Sequence, residues 1–449
     1  MIYKLLTLLI TFSCWLEFSM AQDTIQVKSF SLKEAKDFAV EHNLNIQNAE
    51  LDVEHAGQVI WENTALGLPQ LNSSLNYNNN LNLSTTLLPA EIFGGPPGEK
   101  VEVQFGTQHN TTAVLSASQM IFNGPYIVGL QAARIFKKAS EQTLQKTQID
   151  TKELVAQNYY LALLAAETYH IIDSNYINLK KTLYETQMMY EKGFVGETEV
   201  DQIKVSVITL ENSLKSAKSQ IEISKKLLKY QLGLNLGTEI KLSDHLEDII
   251  YNVSLDATLA EPFQVTKNIE YQLLETQEKL AYLNLKRQKS NYLPSLNLVY
   301  NNQWMAMRDK FSFFDSNERW YYSSLLGFSL NFPIFSSGVR KSRVSELQLD
   351  YQKAKNSKKL LSNGLELKDQ QARSDFLTAW EKYQSEKENV KISQKVLDRT
   401  RIKVKEGVSS SLDFTQVNNQ YLQTESSLIS AMIELLNAKL KLDKAMNRL

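Results

Sequence analysis

The sequence predicts a mainly α-helical chain that also carries membrane β-strands. We expect two tandem repeats of helix–strand–strand–long helix–turn–helix. Three observations lead to this fold class. A heptad pattern of apolar residues recurs in two stretches 214 residues apart, and each stretch follows a long segment without proline. Two pairs of segments also alternate between apolar and polar residues, the second segment less regularly than the others. Heptads are typical of packed helices, and a period of two is typical of strands.

The duplication is clearest after Gly193 and Gly407, where 407 − 193 = 214. In both stretches large apolar residues recur at every seventh position, and mostly smaller residues lie three positions further on, which is the a/d pattern of packed helices. The large positions are Val200, Val207, Leu214, Ile221 and Leu228 in the first stretch and Phe414, Tyr421, Leu428, Leu435 and Leu442 in the second. A shared glycine, pattern and offset indicate tandem duplication of a helical hairpin.

The first 21 residues have the features of a secretory signal peptide. Lys4 precedes the apolar segment 5–15, and residues 19–21 form a small-x-small cleavage site. A membrane anchor is the alternative, but about 11 apolar residues are too few to span a bilayer. The only cysteine, Cys14, lies inside this segment, and Phe12 disfavours a lipoprotein signal. We therefore expect no disulfide and no thiolate metal site in the mature chain.

Composition excludes two function classes. The chain has 49 basic and 50 acidic residues, so it lacks the positive charge that nucleic-acid binding requires. Its mean hydropathy of −0.31 excludes a multi-helix membrane transporter.

We expect the first repeat to span residues 22–235, a connection with short side elements to span 236–262, and the second repeat to span 263–449. Ser31 and Glu34 predict a capping box that opens a helix, and this helix is expected to continue to Pro69.

Two segments free of proline predict long helices. Residues 130–192 contain neither glycine nor proline, and residues 339–406 contain only Gly364. One helix over the first segment would be about 95 Å long at about 1.5 Å per residue, which no compact domain needs. Two or three helices joined by turns without glycine or proline are the alternative.

Strands are predicted at about residues 70–84 and 111–122 in the first repeat and at about 294–306 and 320–333 in the second. Residues 88–109, between the first two, are rich in proline and glycine and predict a long exposed loop. Along each of the first, third and fourth strands one side is apolar and the other is polar but uncharged. A strand of a soluble sandwich has this pattern, and so does a barrel strand with lipid on one side and water on the other.

Four strands cannot close a membrane barrel, which needs at least about eight, and an open sheet edge is not tolerated in lipid. The chain therefore has to be multiplied. A trimer supplies 3 × 4 = 12 strands and also brings the long helices together into a helical barrel on the same axis.

The ordered set of features resembles the TolC-like outer-membrane factors. The resemblance covers essentially the whole mature chain and rests on the glycine turns, the duplication, a Leu-Pro before each first strand, and the exit at Pro333, Phe335 and Gly338. It implies a homotrimer whose 12-stranded barrel crosses the outer membrane and whose helical tunnel crosses the periplasm. The implied function is a passive exit duct of a tripartite efflux or type I secretion system, with a periplasmic adaptor protein and an inner-membrane pump as partners.

In that family acidic residues narrow the periplasmic end of the tunnel shortly after the second glycine turn. The resemblance therefore implies a pore constriction at Asp413, six residues after Gly407, with Glu199, six residues after Gly193, as its counterpart. As an alternative, compatible with the first, both are first-turn carboxylates favoured by the helix dipole.

The chain departs from the family prototype at two positions of this constriction. Gln416 stands where the prototype has a second aspartate, and Ser409 stands where it has an arginine, so a salt-bridge latch lacks its partners here. The resemblance also implies that the turn residues Gly193, Gly196, Gly407 and Ser409 form hairpin tips that contact the adaptor.

The sequence predicts no enzyme and neither cofactor nor metal. Its five histidines are scattered, and the motifs H-E-x-x-H and G-x-S-x-G are absent. A periplasmic coiled-coil adaptor or scaffold without channel activity is the alternative function. It explains the signal peptide and the long helices, but it does not explain a strand pair within each helical half.

Overall fold

The computed structural model describes residues 28–449, and the predicted signal peptide with Cys14 lies outside them. The chain divides into two compact units, each drawing on both predicted repeats. The first contains the described residues up to 47 together with 148–263 and 368–449. The second contains residues 48–147 and 264–367.

The helices, in chain order, are α1 (Leu32–His42), α2 (Leu44–Ala65), α3 (Gly124–Glu191), α4 (Glu197–Leu232), α5 (Leu246–Tyr251), α6 (Leu255–Leu259), α7 (Ile269–Ser290), α8 (Val339–Lys405) and α9 (Ser411–Ala445). The proline-free segments are thus continuous helices of 68 and 67 residues. The prediction of single long helices is confirmed, and the alternative of several shorter helices is wrong.

The strands are β1 (Lys28–Phe30), β2 (Gln70–Asn79), β3 (Ser84–Pro89), β4 (Lys100–Phe105), β5 (His109–Asn123), β6 (Ile240–Leu242), β7 (Ser295–Arg308) and β8 (Tyr321–Asn331). In the second unit four of them form an antiparallel sheet in the order β2-β5-β7-β8. Strands β2 and β8 are its edges, and neither edge is paired within the described chain.

The segment predicted as a long loop is largely a β-hairpin, so that prediction is wrong. Strands β3 and β4 pair antiparallel, with Leu88 opposite Val101 and Thr86 opposite Val103. These β-branched and apolar residues favour strands and outweigh the glycines and prolines, most of which lie at the hairpin tip between residues 94 and 98. Strand β2 ends at Asn79, because the Asn80 side chain donates to the Thr107 carbonyl (2.9 Å) and turns the chain into the hairpin.

The helix that opens at Ser31 ends earlier than expected. Its capping box is confirmed, since Ser31 Oγ accepts from the Glu34 amide (3.3 Å) and the Glu34 carboxylate accepts from the Ser31 amide (2.8 Å). The helix stops at Asn43, which is buried. Asn43 Oδ1 accepts from the Asn45 amide (2.8 Å), and Asn43 Nδ2 donates to the Gln231 carbonyl (2.7 Å). Asn43 thereby caps α2 and ties it to the end of α4.

The core of the first unit is built on the repeated heptad pattern. Phe414, Leu435 and Leu442 of α9 and Ile203 and Leu228 of α4 are each at most 3% exposed, so the predicted apolar stripe is the packed face of both helices. Tyr159 of α3 lies in one buried cluster with Leu228 and Leu435, and its hydroxyl contacts the Phe30 carbonyl (2.9 Å) and the Asp244 carboxylate (3.0 Å) as a donor.

The connecting segment after the first hairpin contributes the short strand β6, which pairs parallel with β1. Asp244 follows β6, and its carboxylate also accepts from the Leu32 amide (2.7 Å) at the start of α1. The segment thus anchors the beginning of the described chain to the helical core.

Candidate functional site

The first hairpin tip joins α3 to α4 through a glycine turn. Gly193 has a φ of 77°, in the left-handed region that side chains disfavour. This conformation lets the Gly193 amide donate to the Tyr190 carbonyl (2.9 Å) and the Phe194 amide donate to the Met189 carbonyl (2.9 Å), which closes the end of α3.

Glu199 folds back over this tip. Gly196 is the N-cap of α4 and has no side chain to cap it. A Cβ atom at Gly196 would lie 2.8 Å from Glu199 Oε2, so the glycine leaves room for the carboxylate. Glu199 is half-buried and sits in the first turn of α4, where the positive end of the helix dipole favours a negative charge.

The second tip joins α8 to α9, and Asp413 is its most connected side chain. Gly407 has a φ of 70°. Ser410 and Asp413 form a reciprocal capping box: the Asp413 amide donates to Ser410 Oγ (3.1 Å), and the Asp413 carboxylate accepts from the Ser410 amide (3.0 Å). Ser409 Oγ also donates to that carboxylate (3.0 Å).

These bonds favour the charged form of Asp413. The Ser410 backbone amide, followed by the hydroxyls of Ser410 and Ser409, lowers the pKa of Asp413 below its ordinary value, because a carboxylate that accepts hydrogen bonds is favoured in its charged form. Asp413 is therefore an ionised and exposed carboxylate in a fixed position. Gln416, one turn further along α9, is exposed as well.

The two tips lie at the same end of the helical bundle. Phe414, next to Asp413, packs in one buried cluster with Leu179 of α3 and with Ile203 and Val207 of α4, and Val404 of α8 packs against it. The structure therefore brings the two sequence-predicted acidic positions to one end. Within residues 28–449 no hydrogen bond or ion pair joins Asp413 to Glu199.

Sequence reasoning missed a pair of exposed apolar residues at these tips. Phe194 and Val408 each follow the turn glycine directly and are 78% and 76% exposed. They are related by the same offset as the glycines, since 408 − 194 = 214. That coincidence was the signal that could have identified them.

A second missed feature is a polar groove between α3, α8 and α9, with a volume of about 210 Å³. The Tyr421 hydroxyl donates to the Glu425 carboxylate there. Burial, and secondarily the negative charge of Glu167, raises the pKa of Glu425, while hydrogen bonds from Tyr421 and Asn175 oppose the rise. Glu425 lies in a heptad-patterned helix and could not be distinguished from a surface residue by sequence.

The sheet of the second unit has two chemically different faces, which the strand register defines. On the apolar face, Leu71, Ala117, Tyr300 and Leu326 form one cross-strand row, and Leu75, Ala113, Trp304 and Tyr322 form another. On the polar face the equivalent rows are Asn72, Ser116, Asn301 and Leu325, and Ser74, Val114, Gln303 and Ser323.

Both faces are exposed along the edge strands β2 and β8 and partly exposed along β5 and β7, and both are almost free of charge. The four strands contain no lysine, aspartate or glutamate, and their one arginine is Arg308 at the end of β7. On the apolar face Leu71, Leu326 and Phe328 are 69%, 68% and 74% exposed. An apolar surface of this kind on a soluble monomer is unusual and marks a membrane or protein interface.

Residues 28–449 contain no group of histidines and acidic residues that could hold a metal ion. In the same part of the chain, no helix combines the length and the apolar character needed to cross a membrane.

Comparison with known proteins agrees with this geometry. The model of the family described as "outer membrane efflux protein" matches residues 37–234 and 272–448, which is most of the chain. The chain belongs to the outer membrane efflux protein family. Its location is accordingly the outer membrane, from which the protein extends into the periplasm, and the family resemblance read from the sequence is confirmed.

Individual relatives of this efflux protein are distant in sequence. It is 22% identical over 349 residues to the probable efflux pump outer membrane protein TtgC of Pseudomonas putida, covering 76% of this chain and 69% of TtgC. Its structure is similar to CusC, with a TM-score of 0.76, 16% identity and 92% and 91% of the two chains covered.

The same holds for the Vibrio cholerae outer membrane protein VceC, with a TM-score of 0.70, 14% identity and 92% and 95% covered. These likenesses show the fold: the mostly helical structure of the outer membrane efflux proteins. The family consists of efflux proteins rather than enzymes.

Proposed function

We propose that this protein is the passive exit channel of a tripartite efflux or type I secretion system. Three copies would form a 12-stranded β-barrel in the outer membrane, continued by a barrel of the long helices across the periplasm. Family membership supports a channel, and the efflux pump in the name of TtgC favours efflux over secretion.

One observation carries the proposal: a four-stranded sheet with two unpaired edges, one exposed apolar face and one exposed polar face. In lipid an unpaired edge leaves backbone groups without hydrogen bonds, so such a sheet is stable only when closed into a barrel. Since β2 and β8 run in opposite directions, the β8 edge of one copy can pair antiparallel with the β2 edge of the next. The apolar face would meet lipid, and the polar face would line water.

We further propose that Asp413, Glu199 and Gln416 lie at the periplasmic constriction of this channel. The fixed, ionised carboxylate of Asp413 and its position at the same end as Glu199 support this role. A ring of three Asp413 carboxylates would attract cations and repel anions. Ser409 would support the ring by donating to Asp413 in place of a salt-bridge latch.

The hairpin tips at Gly193, Gly196, Gly407 and Ser409 are proposed to contact a periplasmic adaptor protein, which links the channel to an inner-membrane pump. The exposed apolar residues Phe194 and Val408 support this, because single apolar residues beside glycine turns offer small anchors for a partner. The duct itself needs no cofactor and no energy source. We also propose that residues 22–235 and 263–449 are duplicated repeats joined by residues 236–262.

Membrane fractionation followed by native mass measurement in mild detergent tests this function. The expected result is an outer-membrane particle of about three protomers that opens ion-conducting channels in a planar bilayer. A monomer in the soluble periplasmic fraction would contradict it and would favour the coiled-coil scaffold, which family membership and the exposed apolar sheet face now disfavour.

A further inference from the structure

The loop between β7 and β8 leans across the sheet to its opposite edge. It carries Phe311 and Phe313, whose ring centroids lie 5.7 and 5.8 Å from the ring of Tyr77 in an edge-to-face geometry. Tyr77 belongs to the edge strand β2, so the loop passes over β5 to reach it. The loop therefore places an aromatic cluster at the free edge of the sheet.

Polar contacts hold this cluster in place. The Tyr77 hydroxyl lies 2.9 Å from His109 Nδ1 on β5. The Arg308 guanidinium lies 5.5 Å above the Phe313 ring and pairs with Glu318 at the other end of the loop. Arg308 is only 5% exposed. A buried guanidinium paired in this way fixes the direction of the loop, so the cluster is a built feature.

Aromatic surface remains uncovered at both edges of the sheet. Phe314, next to Phe311 in the cluster (6.3 Å between ring centroids), is 92% exposed. At the other edge Tyr322, the second residue of β8, is 60% exposed. Tyr322 lies in the cross-strand row of Leu75, and Tyr77 is two residues beyond Leu75 on the same face. The two exposed rings thus lie on the same face and near the same end of the sheet.

We propose that this loop is a clasp between copies of the chain, in which Phe314 of one copy packs on Tyr322 of the next. The inference rests on the proposed barrel. In that barrel β2 of one copy lies beside β8 of its neighbour. At this end of the sheet the chain connects β2 to β5 and β7 to β8, but no loop can connect β2 to the β8 of another copy. Aromatic rings in contact stabilise an interface beyond the area they bury, so the clasp would close the joint where the chain offers no covalent link.

Cysteine cross-linking of the assembled protein tests the clasp. The native chain has one cysteine, Cys14, in the predicted signal peptide, so introduced cysteines are the thiols of the mature protein. With a short bis-maleimide, Phe314→Cys combined with Tyr322→Cys is expected to give covalent dimers and trimers. The matched control, Phe314→Cys with Ser323→Cys, is expected to lose this product, because Ser323 lies on the polar face.

Native mass in mild detergent separates the two possible failures. A trimer whose double-cysteine variant gives no link between copies would overturn the clasp and leave the rings as a belt in the lipid headgroup region. A particle that is not trimeric would overturn the proposed assembly, and the clasp with it.

A second measurement does not depend on cysteine reactivity. Phe314→Ser is expected to lower the temperature at which the trimer dissociates, as followed by native mass measurement in mild detergent. Phe93→Ser removes an equivalent ring, 59% exposed, from the tip of the β3–β4 hairpin and is expected to leave the dissociation temperature unchanged. Equal temperatures for Phe314→Ser and the parent protein would refute the clasp.

Discussion

Two adjacent leucines in the middle of β8 provide a direct test of which sheet face meets lipid. Leu325 and Leu326 are 63% and 68% exposed, so burial does not distinguish them. They differ in the face they occupy: Leu326 is in a row with Leu71 and Tyr300, whereas Leu325 is in a row with Asn72 and Asn301. We expect Leu326→Lys to destabilise the assembled protein strongly and Leu325→Lys to have little effect.

The magnitude follows from the position of the pair. Leu326 is the sixth residue of an 11-residue strand, so in the proposed barrel it would lie near the middle of the membrane. A lysine on the lipid face costs about 2–4 kcal/mol there. Three copies would lose about 6–12 kcal/mol per trimer on the same scale, whereas a lysine in a water-filled lumen carries almost no transfer cost.

Urea denaturation of the protein in lipid vesicles, followed by loss of the trimer in native mass measurement, measures the difference. Planar-bilayer recordings supply a second readout, because Leu325→Lys adds positive charge to the lumen and is expected to shift ion preference towards anions. Equal destabilisation by the two lysines, or a larger loss for Leu325→Lys, would refute the assignment of the faces.

Three further outcomes are expected. Asp413→Asn keeps the size of the side chain but removes its negative charge, and it is expected to weaken cation preference in planar bilayers. Tyr159→Phe removes the hydroxyl that donates to the Phe30 carbonyl and the Asp244 carboxylate, and it should lower the free energy of unfolding in urea by about 1–3 kcal/mol. Tyr251→Phe, at a site that is 90% exposed, is the control and should not change that free energy measurably. Glu425→Gln should raise the melting temperature at pH 7. Because the pKa of Glu425 is raised in the folded protein, its ionisation destabilises the fold as the pH rises through that pKa. An equal rise in melting temperature below pH 4, where Glu425 is protonated, would contradict the reasoning.

The long helices and their packed faces could be predicted from sequence because their signals are local. A heptad with large and small residues at alternate core positions determines which face is buried, and Phe414, Leu435 and Leu442 are buried accordingly. The two segments without proline contain no strong helix-breaking signal, and each forms one continuous helix.

The features that sequence reasoning missed depend on distant partners. Asn43 ends a helix because its side chain bonds to Gln231, 188 residues away. The β3–β4 hairpin depends on cross-strand pairs such as Leu88 with Val101, which a count of glycines and prolines does not reveal. Strand order and register likewise depend on how distant strands pair, and they decide that Leu325 lies on the polar face and Leu326 on the apolar face.

The constriction at Asp413 and Glu199 stays a prediction. The family resemblance and the offset of 214 residues pointed to Asp413 and Glu199, and the structure adds what holds them: the capping box with Ser410 and the space above Gly196. Phe194 and Val408 were missed because exposure cannot be read from one apolar residue in a turn.

The two unpaired edges of the sheet also bear on how the protein is made. A lone copy offers β2 and β8 as templates to any extended chain it meets, which is the usual origin of misassembly and aggregation. Closing the proposed ring of three copies takes two successive encounters, so its rate falls steeply as copies become scarce, while the exposed edges persist. Export in bursts that raise the local number of copies would therefore give a higher yield of finished channels than the same amount delivered slowly.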